Sequence, residues 1–158
     1  MFVPRQIEAG RGGRVRLRLD ARECLFLGGL LDELEESLAE PDDPSLRRLF
    51  PPAYSDPESD EQYRSLVRGQ LVSGRLGALR IMRSTLESKE LSPEQADSWL
   101  RVLNDLRLML GTRLDVTEEL DFEAFDESDP QAQDLAIYGY LSWLQEQLVE
   151  ALQTASGR

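Results

Sequence analysis

The sequence predicts a mostly α, α+β architecture: an N-terminal β-hairpin packed on a bundle of about five helices. Three observations predict it. Aliphatic residues alternate with arginines just before residue 20. Beyond it, apolar residues recur three and four apart over long stretches. Helix start signals stand at Asp20, Ser92 and Asp129, the last two followed by proline.

The hairpin occupies residues 1–19. Phe2, Val3 and Ile7 precede a Gly10-Arg11-Gly12-Gly13 turn, after which Val15, Leu17 and Leu19 alternate with Arg14, Arg16 and Arg18. Period-two alternation puts the aliphatics on one face and the arginines on the other. A two-stranded ribbon is marginal alone, so the apolar face must pack on helices.

A helical bundle is expected over residues 20–112. Asp20 and Glu23 form a capping-box pair, and Cys24, Leu27, Leu31, Leu34 and Leu38 make one helix face, ended by Pro41 and Pro44. Residues 46–50 could add a short helix before Pro51-Pro52. Tyr63, Leu66, Val67, Val72, Leu79, Met82 and Leu86 give the apolar side of the next helix, where Gly69, Gly74 and Gly77 suggest a break or a close helix crossing. Ser92, Pro93 and Gln95 start a further helix with Trp99, Leu103, Leu106 and Leu110 as its stripe and Gly111 as its expected C-cap. An acidic linker, 113–128, separates this bundle from a C-terminal helix, 129–155, whose stripe is Ile137, Leu141, Leu144, Leu148 and Leu152. At 158 residues the whole is expected to be one domain, long enough to fold without disulfides or metal.

Composition narrows the function. There is no histidine, which removes the commonest general base and the commonest transition-metal ligand together. No P-loop, nucleophile elbow or dinucleotide fingerprint is present, so neither an enzyme activity nor a cofactor is expected. No apolar run is long enough for a bilayer, and a cytoplasmic location is expected. The net charge of −12 repels nucleic acid over the surface as a whole. Charge is nonetheless uneven. Residues 1–22 carry six arginines against Glu8 and Asp20, whereas residues 115–129 carry eight acids and no base. Such polarity favours oriented docking to a partner.

Each candidate site has a plain structural reading beside the functional one. Arg14, Arg16 and Arg18 could grip phosphates as a groove-entering ribbon, but a solvated strand edge is preferred on so acidic a chain. Asn104, Asp105 and Arg107 lie off the apolar stripe of their helix, and Asp105 could pair with Arg101 or with a neighbouring helix. They are expected to fix helix register. Cys24, the single cysteine, is read as a core residue, with redox sensing as the alternative and a helix N-terminus that would lower its pKa somewhat. The acids of 115–129 fail as a calcium loop, because Leu120 stands where such a loop needs glycine. Phe122 and Phe125 within them, with Tyr140 and Trp143 on the last helix, are the candidates for partner docking, and that helix could also support a homodimer.

Three stretches together resemble one actinobacterial family of oxidative-stress regulators, formerly known only as a conserved domain of unknown function. They are Arg48-Leu49-Phe50-Pro51-Pro52-Ala53-Tyr54, the run WLRVLNDLRLMLGTRL ending at Leu114, and SWLQEQLVEAL ending at Leu152. The resemblance spans nearly the whole chain. It implies a transcriptional regulator that acts by protein–protein contact with a sigma factor or RNA polymerase, in control of cysteine-biosynthesis genes. Family gene neighbourhoods imply an alternative, an adaptor or scaffold in regulated proteolysis or sulfur metabolism. A sensor that closes a disulfide within one chain needs two cysteines, and this chain has only Cys24.

Overall fold

Helix starts and the hairpin turn follow from short-range chemistry already visible in the residues. The computed structural model describes residues 5–40, 44, 49, 57–114 and 130–156. Along them run β1 (Ile7–Ala9), β2 (Val15–Leu17), α1 (Ala21–Ala39), α2 (Pro57–Thr85), β3 (Glu90–Leu91), α3 (Pro93–Leu114) and α4 (Pro130–Ser156). The architecture is mostly helical with a small N-terminal antiparallel sheet, as expected, and the described residues hold four long helices. The short helix expected at 46–50 and the acidic linker fall on or mostly on residues outside those described.

The hairpin pairs Ile7 with Leu17 and Ala9 with Val15. Its turn holds Gly12 and Gly13 at φ of 64° and 77°, the left-handed region where a side chain would be strained. Ile7, Val15 and Leu17 turn inward and are buried. The sheet also has a third strand: β3 pairs with β2, matching Val15 to Leu91 and Arg16 to Glu90. The order is therefore β1-β2-β3, which corrects the reading of the arginine strand as an edge: β2 is central.

Both expected capping boxes form. Glu23 N–H donates to Asp20 Oδ1 at 2.8 Å while Asp20 N–H reaches Glu23 Oε1 at 3.4 Å. Gln95 N–H donates to Ser92 Oγ at 3.1 Å and Ser92 N–H to Gln95 Oε1 at 2.9 Å. The glycines of α2 do not behave as expected. The helix is continuous across all three, and a Cβ on Gly69, Gly74 or Gly77 would meet nothing within 4 Å. Each costs the helix about 1 kcal/mol relative to alanine. Burial of Ala78, Leu79 and Met82 in the core offsets that cost. Gly111 likewise does not end α3, which runs on to Leu114.

Helix α3 is central and packs on α2, α4 and α1. Trp99, fully buried, donates its indole N–H to Thr85 Oγ1 at 2.7 Å, so the largest core side chain also has its polar atom satisfied. Helix α4 packs on α3 along one side and on β1 along another, which brings the first strand against the last helix.

A candidate partner-docking face on α1 and α4

Three consecutive apolar residues, Leu25, Phe26 and Leu27, stand in α1, and a helix cannot turn all three inward. Leu27 is buried, whereas Leu25 is 79% exposed and Phe26 39% exposed. On α4, Trp143 is 37% exposed while its neighbour Leu144 is buried. The rings meet. Phe26 and Tyr140 stand edge to face with centroids 5.9 Å apart, and Tyr140 and Trp143 lie 6.3 Å apart. A groove of about 370 Å³ opens beside them, lined chiefly by Arg22, Glu23, Phe26, Ala136, Ile137 and Tyr140.

Glu23 holds this face in place. Its carboxylate accepts Gln6 Nε2–H at 2.5 and 2.6 Å and the Tyr140 hydroxyl at 2.6 Å, besides completing the α1 cap. Gln147 extends the network: its Oε1 accepts the backbone N–H groups of Gln6 at 2.9 Å and Ile7 at 3.2 Å. Thus α1, β1 and α4 share one polar junction under an aromatic surface. Burial, then the hydrogen bond to Glu23, pushes the Tyr140 phenol far above its ordinary pKa, so it remains a proton donor.

Cys24 lies next to this junction but turns inward. Its Sγ–H donates to the Leu86 carbonyl at 3.1 Å, and the side chain is half-buried against the core. Its pKa is raised, by burial first and then by Glu87, Glu23 and Asp20. That corrects the expected lowering by the helix N-terminus: three nearby carboxylates and desolvation outweigh the helix dipole.

The Asn104, Asp105 and Arg107 trio is not one cluster. Asn104 is exposed. Asp105 is buried and pairs with Arg75 of α2, rather than with Arg101. Arg75 also reaches the Leu49 carbonyl at 3.4 Å. Arg107 turns the other way, to Ser142 Oγ at 2.9 Å and Gln145 Oε1 at 2.7 Å, with its guanidinium 5.2 Å from the Tyr138 ring. The pair clamps α3 to α2 on one side and to α4 on the other.

The hairpin arginines are exposed, and two meet acids of their own sheet: Arg14 with Glu90 and Arg18 with Glu8, each at 3.5 Å. Phe122 and Phe125 lie outside the described residues. Among the described residues, no group of three or more acids, cysteines or histidines could hold a metal ion, and no helix is long and apolar enough to cross a membrane.

Comparison with known proteins adds the family. Residues 5–152 match a family described as a domain of unknown function, DUF2017. The chain belongs to this family. A Mycobacterium leprae AosR is 31% identical over 94% of this chain and 87% of its own length. Proteins named oxidative stress regulator AosR from Mycobacterium bovis and Mycobacterium tuberculosis are each 28% identical over 94% of this chain and 86% of theirs. The resemblance read from the sequence is therefore borne out. No solved structure matches the chain.

Two residues of the face were not singled out in the sequence. Leu25 and Phe26 betray themselves only by adjacency to Leu27 within one helix. Gln6 and Gln147 gave no signal, because 141 residues separate the partners of that bond.

Proposed function

We propose that this chain is a cytoplasmic, non-enzymatic regulator of the oxidative-stress response that works by contact with other proteins. Its partner is a sigma factor or RNA polymerase, and its targets include cysteine-biosynthesis genes. The observation that carries this reading is the likeness to named oxidative stress regulators over 94% of the chain. An exposed aromatic face on α1 and α4 supplies a surface suited to such contact. The reactive groups at hand support a role without chemistry: the Tyr140 phenol and the Cys24 thiol are both held toward their protonated forms.

With one cysteine of raised pKa, the peroxide signal reaches this regulator through its partner. Cys24 should therefore react with a thiol reagent several-fold more slowly at neutral pH than free cysteine. A fast, Cys24-dependent dimer on a non-reducing gel after mild peroxide would restore the sensor reading. The function itself is tested by affinity purification of the tagged chain from peroxide-treated actinobacterial cells. Sigma-factor or polymerase subunits are expected, with lowered cysteine-biosynthesis transcripts when the gene is deleted. Protease components in their place would make the chain an adaptor.

A further inference from the structure

The partner surface implied by a contact regulator has a chemistry that its own shape and charge define. The apolar positions of α4 that reach solvent climb in helical steps: Ala136 and Ile137, then Tyr140, then Trp143. Across the groove α1 offers Phe26, with exposed Leu25 next to it in the chain and exposed Gly29 one turn on. A trough between two helices accepts a third helix, whose side-chain ridge seats in it. From Gln133 to Tyr140 the trough runs about 10 Å along α4, two turns at the α-helical rise, and Trp143 stands just beyond it against the Tyr140 ring.

The surroundings of this trough are acidic. Along the exposed face of α1, Glu33 and Glu36 follow Gly29 at spacings of four and three. On α4, half-buried Asp134 precedes the aromatic steps and exposed Glu146 follows Trp143 at a spacing of three. Arg22 is the cation at the mouth of the groove. Glu23 is already engaged by Tyr140 and Gln6. The chain as a whole carries −12, so a second copy would bring like charge against like.

We propose that the α1–α4 trough is the docking site for a basic amphipathic helix of another protein. The partner's apolar ridge seats against Phe26, Ile137, Tyr140 and Trp143, while its lysines or arginines face Glu36 and Glu146. This assignment rests on the reading of the chain as a contact regulator and names the kind of surface it contacts.

The probe is an end-labelled 18-residue amphipathic Leu/Lys peptide, titrated onto the full chain with fluorescence anisotropy as the readout. A Leu/Glu peptide of the same pattern is the control. Tryptophan emission gives a second signal, since Trp99 is fully buried and Trp143 is exposed. The Leu/Lys helix should bind one to one and shift the emission to shorter wavelength. Ala136→Arg, at an exposed groove position, should weaken it at least tenfold, whereas Leu71→Arg, at an exposed apolar position on α2, should not.

Equal weakening by the two arginine variants, or equal binding of the Leu/Glu helix, would overturn the proposal. So would a wild-type dimer in sedimentation that Ala136→Arg makes monomeric, because the occupant would then be a second copy. The two levels of the argument separate in the cell. If Ala136→Arg still recovers sigma factor or polymerase, the trough is the wrong surface and the regulator stands. If the wild-type chain recovers neither, the contact-regulator reading falls whatever the peptide does.

Discussion

Asp105 and Glu23 both anchor helices, and they sit in opposite situations. Asp105 is buried at the α2–α3 seam with a guanidinium beside it. Burial still dominates, since its pKa is raised despite Arg75 and Arg101. Glu23 is half-buried at the junction of α1, β1 and α4 and is met by an amide, a phenol and a backbone N–H. The first carboxylate locks one helix to another. The second holds a set of rings at the surface in a fixed arrangement, which a partner can then read. Depth decides which task a carboxylate can serve: a deep one needs a full counter-charge, whereas one near the rim is satisfied by neutral donors.

The largest effect should come from breaking the deep pair. Arg75→Ala leaves Asp105 without its counter-charge and should cost about 3 kcal/mol in urea unfolding. A loss below that of the Glu23 variant would reverse the contrast. Glu23→Ala removes the hub and the return half of the capping box, leaving the Asp20 cap itself in place, and should cost about 1.5 kcal/mol. It should also redden Trp143 emission by loosening Tyr140 beside it, a change Arg75→Ala should lack.

The pH dependence sharpens the same contrast. With its folded pKa raised, Asp105 holds a proton more tightly folded than unfolded. Its contribution therefore grows as pH falls from above the folded value toward the ordinary aspartate value, and is lost as pH rises back through that window. Stability of the wild type minus that of Asp105→Asn should increase on acidification from neutral pH toward 4. A flat or falling difference would mean that Arg75, not burial, controls the group. Smallest of all, Leu25→Ser at a site 79% exposed should change stability by no more than about 0.5 kcal/mol, while weakening any partner that uses the face.

Much of this was legible in the chain. Helix faces such as Leu27, Leu31, Leu34 and Leu38 follow from a repeat of 3.6, and both capping boxes from residues three apart. Trp143 and Tyr140 were legible as partly outward because they fall off the stripe of Leu141, Leu144 and Leu148. Long-range pairing was not legible. Nothing in Glu90-Leu91 announces a strand, since two residues carry no period, and only β2 beside them makes one. The partners of Asp105 and Arg107 were hidden for a related reason. Neighbouring positions on a helix look alike in one dimension, but 200° of rotation sends them to different helices. The glycines of α2 misled because a small residue signals close approach only where something approaches, and there they face open space.

The bond from Gln147 to the Gln6 and Ile7 amides has a consequence for the order of events on the ribosome. The first strands to emerge cannot complete their sheet until Leu91 follows, nor cap their amides until Gln147 does. The ribbon of β1 and β2 must therefore wait, marginal and partly unpaired, until α4 has followed. A chain halted before α4 should leave that ribbon open to proteases, so a C-terminal stop would be felt first at the opposite end.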